Sequence, residues 1–142
     1  MSIRKEEFYE GAALLHLICG ARRLQIEFTR PFYLIDSRIR LYLKYSTRVR
    51  SPWGFTFMER EQRLLEKASQ AQHLVLGLVC GHDGIVSLPY DDYLAIAPIE
   101  GTAFRIACDR RHRERYEVRG PNAVLERKIS PSEWPRLFSP DD

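Results

Sequence analysis

Arg38, Arg40, Lys44, Arg48 and Arg50, interleaved with Tyr42, Tyr45 and Trp53, make a segment whose residue types suit a polyanion. Guanidinium groups hold phosphate through paired hydrogen bonds, and aromatic rings stack on bases, the mixture that single-strand and RNA-binding sheets use. A second cluster, Arg110, Arg111, Arg113, Arg115 and Arg119, falls on an expected hairpin tip, a shape suited to lie along a phosphate backbone. The first cluster also has a pattern. Ile39, Leu41, Leu43 and Tyr45 alternate with Arg38, Arg40, Tyr42 and Lys44. Strand side chains point to opposite faces with period two, so one face is oily and the other cationic. Three cations on one sheet face must meet water, carboxylates or a polyanion. The pattern predicts that Arg38, Arg40 and Lys44 lie on one side of a strand, with Tyr42 between them, and remain largely unpaired. The competing account is an edge guarded by charge, paired with Glu59, Glu61, Glu114 and Glu117.

Other chemistry is thinner. Cys80-x-His82 and Cys108-x3-His112 would offer four zinc ligands if two hairpin ends met, but the spacings match no standard zinc module. Buried thiols and exposed histidines are expected instead, with no metal site. His82-Asp83 sits between Gly81 and Gly84, where an Asp-Gly turn needs no catalytic role. There is no Gly-x-Ser-x-Gly, no phosphate-binding glycine loop before Lys-Ser/Thr and no His-Glu-x-x-His. No cofactor is expected.

A helix bearing Glu10, then strands, with Asp36 and Lys44 beyond and a second helix after them, faintly resembles the restriction-endonuclease-like fold, the PD-(D/E)xK superfamily, over about residues 3 to 80. That resemblance implies an acidic residue and an acid-x-lysine triplet holding a metal and a lysine beside a scissile phosphate. The triplet here is Tyr42-Leu43-Lys44, so a phenol replaces the metal-binding carboxylate, and Asp36 lies nearer the turn than the family pattern puts it. Hard cations want several oxygen ligands, carboxylates among them. The resemblance therefore implies a degenerate, non-cleaving member. An active nuclease using Glu10 or Glu27 with Asp36, Lys44 and Mg2+ is the alternative.

The elements that must position these residues follow from periodicity and punctuation. Residues 3 to 19 predict a helix with Phe8, Leu15 and Ile18 in the core, Ser2 as cap and Gly20 as stop. Leu24, Ile26 and Phe28 alternate as a strand. Phe32 to Ile35 and Arg38 to Tyr45 pair across Asp36-Ser37. Trp53, Phe55 and Phe57 form a third, aromatic strand, more suited to packing than to a ligand cage. Thr56 and Glu59 match a capping box for a helix over about 57 to 71. His73 to Cys80 is nearly all apolar, an interior strand covered on both faces, and Ile85 to Leu88 returns beside it across Asp83-Gly84. Pro89 opens a short helix with Asp91 and Asp92 in its first turn. Strands around Phe104 to Cys108 and Tyr116 to Val118 follow. Ser130-Pro131-Ser132-Glu133 caps a last short helix carrying Trp134 and Leu137, and 139 to 142 is a frayed tail. The order predicts one α+β domain with a largely antiparallel sheet.

Composition bounds the rest. The 142 residues are 44% hydrophobic, enough for a core, and net charge is only +3. Of 22 basic residues only Lys5, Lys44, Lys67 and Lys128 are lysine, leaving 18 arginines; GC-rich codons would account for that bias as well as phosphate binding would. No apolar run approaches the roughly 20 residues of a membrane helix, and the amino terminus lacks signal-peptide character. Cys19, Cys80 and Cys108 are odd in number and isolated, which predicts buried reduced thiols and a cytoplasmic setting. The reading is a small domain binding DNA or RNA through the Arg38-to-Arg50 face without catalysis. Its other competitor is an interaction module, meeting an acidic protein or forming a homodimer.

Overall fold

The computed structural model describes residues 2–21, 23–98 and 101–138. In chain order the elements are α1 (Lys5–Gly20), β1 (Ile26–Thr29), β2 (Phe32–Ile35), β3 (Ile39–Ser46), β4 (Trp53–Phe57), α2 (Glu59–Ser69), β5 (His73–Cys80), β6 (Gly84–Pro89), α3 (Tyr90–Ile96), β7 (Phe104–Asp109) and β8 (Glu117–Arg119). A short 3-10 turn, Pro131–Glu133, follows. The expected tail at 139 to 142 lies outside the described residues.

Two sheets organise the chain. The larger runs β1-β2-β3-β5-β6 and the smaller β4-β7-β8. Every pairing is antiparallel except β3 with β5, where Leu41 lies opposite Val75 and Lys44 opposite Leu78. This is the predicted α+β fold in one domain, with one rearrangement. The aromatic strand β4 leaves the hairpin that precedes it and pairs with β7 in the second sheet.

Local chemistry sets most of these elements. Asp36 and Ser37 both take positive φ, 52° and 55°, which closes the β2–β3 turn. β5 is buried from Leu74 to Cys80, and β6 returns beside it with Cys80 opposite Gly84. Leu76 and Leu78 are fully buried, as a run that apolar requires. At the carboxyl end Glu133 Oε2 accepts from Ser130 N–H at 2.8 Å and Ser130 Oγ accepts from Ser132 N–H, the expected capping. The second capping box is displaced: Glu61 Oε1 accepts from Met58 N–H at 3.1 Å, so α2 starts two residues later than expected.

The larger sheet is the middle layer. On one side Ile35, Leu41, Val75 and Val79 pack with Ala13 and Leu17 of α1 and with Trp134 and Phe138. Trp134 Nε1 donates to the Ala13 carbonyl at 2.9 Å, tying the carboxyl segment to α1. Gly77 makes room for that ring, since a Cβ there would come within 2.7 Å of both Trp134 and Leu43. On the other side Leu74, Leu76, Leu78, Val86 and Leu88 join Leu65 of α2, Tyr93 and Ile96 of α3, and the Trp53, Phe55 and Phe57 row. That aromatic row is core, as its alternation predicts. Phe8, Leu15 and Ile18 are not. They lie on the outer side of α1 at 63, 58 and 50% exposure, because the sheet takes up the stripe of Ala13 and Leu17 instead.

Candidate nucleic-acid interface

The alternation along β3 is real. Leu41 is fully buried toward α1, and Tyr45 on the same side stacks on Tyr9 with centroids 4.7 Å apart. Arg40, Tyr42 and Lys44 take the other face, but that face is largely covered: Tyr42 is buried and the Lys44 side chain is 19% exposed. α2 lies across it. Glu61 Oε2 accepts from Lys44 Nζ at 2.7 Å and from the Tyr42 hydroxyl at 2.5 Å. Lys44 Nζ sits 4.8 Å from the Phe57 ring centroid, and the Arg40 guanidinium carbon 5.3 Å from that of Phe32. The expected unpaired row is thus overturned at Lys44, while Arg38 and Arg40 have no ion pair among the described residues. Lys44 is ion-paired, Tyr42 is buried, and Trp53 is buried too, so neither ring is open to a base. The competing pairing with Glu61 is what the fold adopts. Arg38 stands off the strand in the β2–β3 turn and is exposed.

The charges in this clasp are fixed by one another. Burial pushes the Glu61 carboxyl up, but hydrogen bonds from Lys44, Tyr42 and the Met58 N–H outweigh it and hold it below the usual carboxylate range. Burial and the Glu61 acceptor push the Tyr42 phenol far above its ordinary value. Glu61 is the anion and Tyr42 a fixed donor. Among the described residues Arg40 Nε is buried without a hydrogen-bond partner, and so is Gln72 Oε1.

The basic loop after β3 and the β7–β8 tip have a different fate. Ser51 joins them: its hydroxyl donates to Asp109 Oδ1 and accepts from Arg110 N–H at 2.9 Å. Trp53 Nε1 donates to the Arg48 carbonyl at 2.8 Å, and Gly81 N–H to the Ser46 carbonyl at 2.9 Å. Two segments some sixty residues apart therefore share one end of the molecule with the β5–β6 turn. Arg110 acts there as a strut. Its Nη1 reaches Asp83 Oδ2 at 2.9 Å, its Nε the Glu114 carbonyl at 2.6 Å, and its guanidinium lies 5.2 Å from the Tyr116 centroid. The Tyr116 hydroxyl donates to the same Asp83 oxygen at 2.5 Å. Arg119 reaches Asp109 and Glu117 at 3.6 and 3.7 Å. What remains free is Arg48, Arg50, Arg111, Arg113 and Arg115. All five are exposed, and none has an ion pair among the described residues. Val49, between two of them, is 89% exposed, and His82 and His112 are exposed beside them.

The acidic candidates do not converge on Lys44. Glu10 accepts from the Tyr33 hydroxyl at 2.8 Å on the α1 side of the sheet, where burial and Glu10 push that phenol up to about 12. Lys44 is on the opposite side. Asp36 Oδ1 accepts from Gln25 N–H at 2.8 Å and serves the turn. Glu27 is exposed on edge strand β1. Among the described residues no three His, Cys, Asp or Glu side chains cluster as metal ligands. Cys80 and Cys108 are buried while His82 and His112 face out; Cys19, expected buried, is exposed, and all three thiols are free. No helix is long and apolar enough to cross a membrane among the described residues.

A cleft of about 950 Å³ opens between the first half of α1 and the β5–β6 turn, with Phe8, Tyr9 and His16 on one wall and His82, Gly84 and Ile85 on the other. Asp83 and Ser51, the two residues that assemble this end, carry no sequence signal beyond turn character. Comparisons with protein-family models, with curated proteins and with solved structures found no match.

Proposed function

We propose that this domain binds nucleic acid without cleaving it, through the end where Arg48 and Arg50 meet Arg111, Arg113 and Arg115. The observation that carries this reading is the Ser51 junction. It gathers five exposed guanidinium groups and leaves them without carboxylate partners among the described residues. Such groups gain most from a ligand that brings its own regularly spaced anions, and phosphate is the anion arginine grips best. Aromatic stacking is not part of the interface, because Tyr42 and Trp53 are core. Recognition then rests on phosphate contacts, which carry no sequence information. In this reading the restriction-endonuclease likeness is that of a non-cleaving relative, with Glu10 and Lys44 spent on separate internal bonds. The free thiols, one of them exposed, support a cytoplasmic setting.

The test is titration of labelled single-stranded and duplex DNA and RNA at two salt concentrations, with and without Mg2+. Binding should weaken steeply with salt. Changing Arg48, Arg50, Arg111 and Arg113 to Ala should flatten the log–log salt slope by about three units, from roughly 0.7–0.9 per phosphate contact. No binding at low salt, or an unchanged quadruple variant, defeats the reading and moves an acidic protein partner ahead. Mg2+-dependent cleavage would move the nuclease ahead.

A further inference from the structure

α1 is apolar on two sides. Its inner stripe, Ala13 and Leu17, is fully buried against the larger sheet, and Gly20 abuts the Pro135 carbonyl. Its outer side carries Phe8, Leu15 and Ile18 at 63, 58 and 50% exposure, with Ile3 at 70% just before the helix. A helix side that is apolar is ordinarily packed against something. The outer residues are also regularly placed. Phe8, Gly11, Leu15 and Ile18 are spaced three, four and three residues apart, the seam of a helix that packs against another helix. Ala13 and Gly20 fall opposite that seam, so one helix serves the domain with one side and is free to pair with the other.

Gly11 is the informative member. A Cβ built there meets nothing within 4 Å among the described residues, so the packing they make does not require glycine. Glycine in an exposed helix interior costs about 1 kcal/mol relative to alanine. Its use is to let something approach the backbone closely.

We propose that the occupant of this seam is a second copy of the chain, with the two α1 helices antiparallel about a twofold axis. The midpoint of the seam is residue 13. Antiparallel pairing about that point sets Phe8 against the partner's Ile18, and Gly11 against the partner's Leu15. A large side chain then fills the space over a missing one, twice, as a twofold interface requires. Parallel pairing would set Gly11 on Gly11, leaving a gap, and crowd the two Phe8 rings. The antiparallel arrangement also opposes the helix dipoles, and it brings the partner's Arg23 to the first turn, where Glu6 and Glu7 share Arg4 at 3.5 and 3.3 Å. The area suffices. Ile3, Phe8, Leu15 and Ile18 offer on the order of 400 Å² per copy; two copies with Ala12 and Cys19 reach the roughly 1,000 Å² of a specific interface.

The experiment is sedimentation or light scattering across a concentration series without nucleic acid, using the whole chain. The wild type should show twice the 16.7 kDa chain mass. Leu15→Glu should give the single-chain mass with an unchanged circular dichroism spectrum. Gly11→Leu separates this arrangement from any other sticky contact. It improves helix propensity and enlarges the apolar face, so a parallel pair, a different protein or a membrane surface would be bound at least as well. In the antiparallel seating it collides with the partner's Leu15, and dimer affinity should fall about tenfold or more. A wild type that stays single at all concentrations, vesicle binding by such a single chain, or a Gly11→Leu variant that dimerises as well as wild type overturns the proposal.

Discussion

The two arginine-rich stretches of this chain, β3 and the joined loops at the molecular end, share a composition and have opposite roles. On β3, Arg40 lies over Phe32 and Lys44 is locked to Glu61 under α2. At the end, Arg48, Arg50, Arg111, Arg113 and Arg115 are exposed without ion pairs among the described residues. The difference lies in what arrives from elsewhere in the chain. A helix seventeen residues downstream brings a carboxylate to β3. The contact that assembles the end is spent on Ser51, Asp109 and Arg110, and leaves the neighbouring arginines to the solvent. A cation on a period-two row is therefore no guide to a binding face until the layer above it is known.

The comparison breaks most visibly at Glu61. Glu61→Ala strands Lys44 and Tyr42 in a largely buried place, and urea denaturation should show a loss of about 2–3 kcal/mol, the cost of leaving a paired charge and a hydroxyl without their acceptor. Equal stability for variant and wild type would mean that the β3 row is a solvated face after all.

Acid should reveal the same contrast less strongly. Glu61 is held below the ordinary carboxylate range, its burial outweighed by Lys44, Tyr42 and the Met58 N–H; Asp109 is held low by Ser51 first and then Arg119. A depressed folded-state pKa contributes stability that is fully present above the unfolded value and is lost as pH falls through the folded one. The thermal midpoint should hold from neutrality to about pH 4.5 and decline below it, where carboxylates ordinarily titrate. Glu61→Gln should make that decline shallower. A decline of the same steepness in both proteins would remove Glu61 from the account.

The smallest effect is expected at the free end. Single changes of Arg50 or Arg113 to Ala should alter stability by less than about 0.5 kcal/mol, because exposed side chains without partners contribute little to the fold. A larger loss in thermal denaturation would show a structural role and blur the contrast with β3.

Local signals were legible wherever their partners lie close in sequence. The β2–β3 hairpin follows from two short apolar runs and Asp36-Ser37, and the β5–β6 hairpin from an apolar octet and an Asp-Gly turn. Ser130 and Glu133 announced their own cap. The aromatic alternation of Trp53, Phe55 and Phe57 marked core but not its sheet, since strand periodicity says nothing about which neighbour accepts the hydrogen bonds. For α1 the apolar residues were visible, yet the sequence placed Phe8, Leu15 and Ile18 inward, when the side that meets the sheet is the one carrying Ala13 and Leu17, with Tyr9 packed at its edge.

By itself the sequence determined the α+β class, most strand and helix positions, the alternation of β3 and the presence of two basic segments. These depend on backbone periodicity and turn chemistry, which act over a few residues. Only the tertiary structure decided that Glu61 would cover Lys44, that Ser51 would bring Arg48 and Arg50 to the tip bearing Arg111 and Arg113, and that α1 would keep an apolar side outward. Each of these is a contact between distant segments, or the lack of one, and is set by how layers stack and what volume each face can hold. A linear pattern does not encode that choice residue by residue.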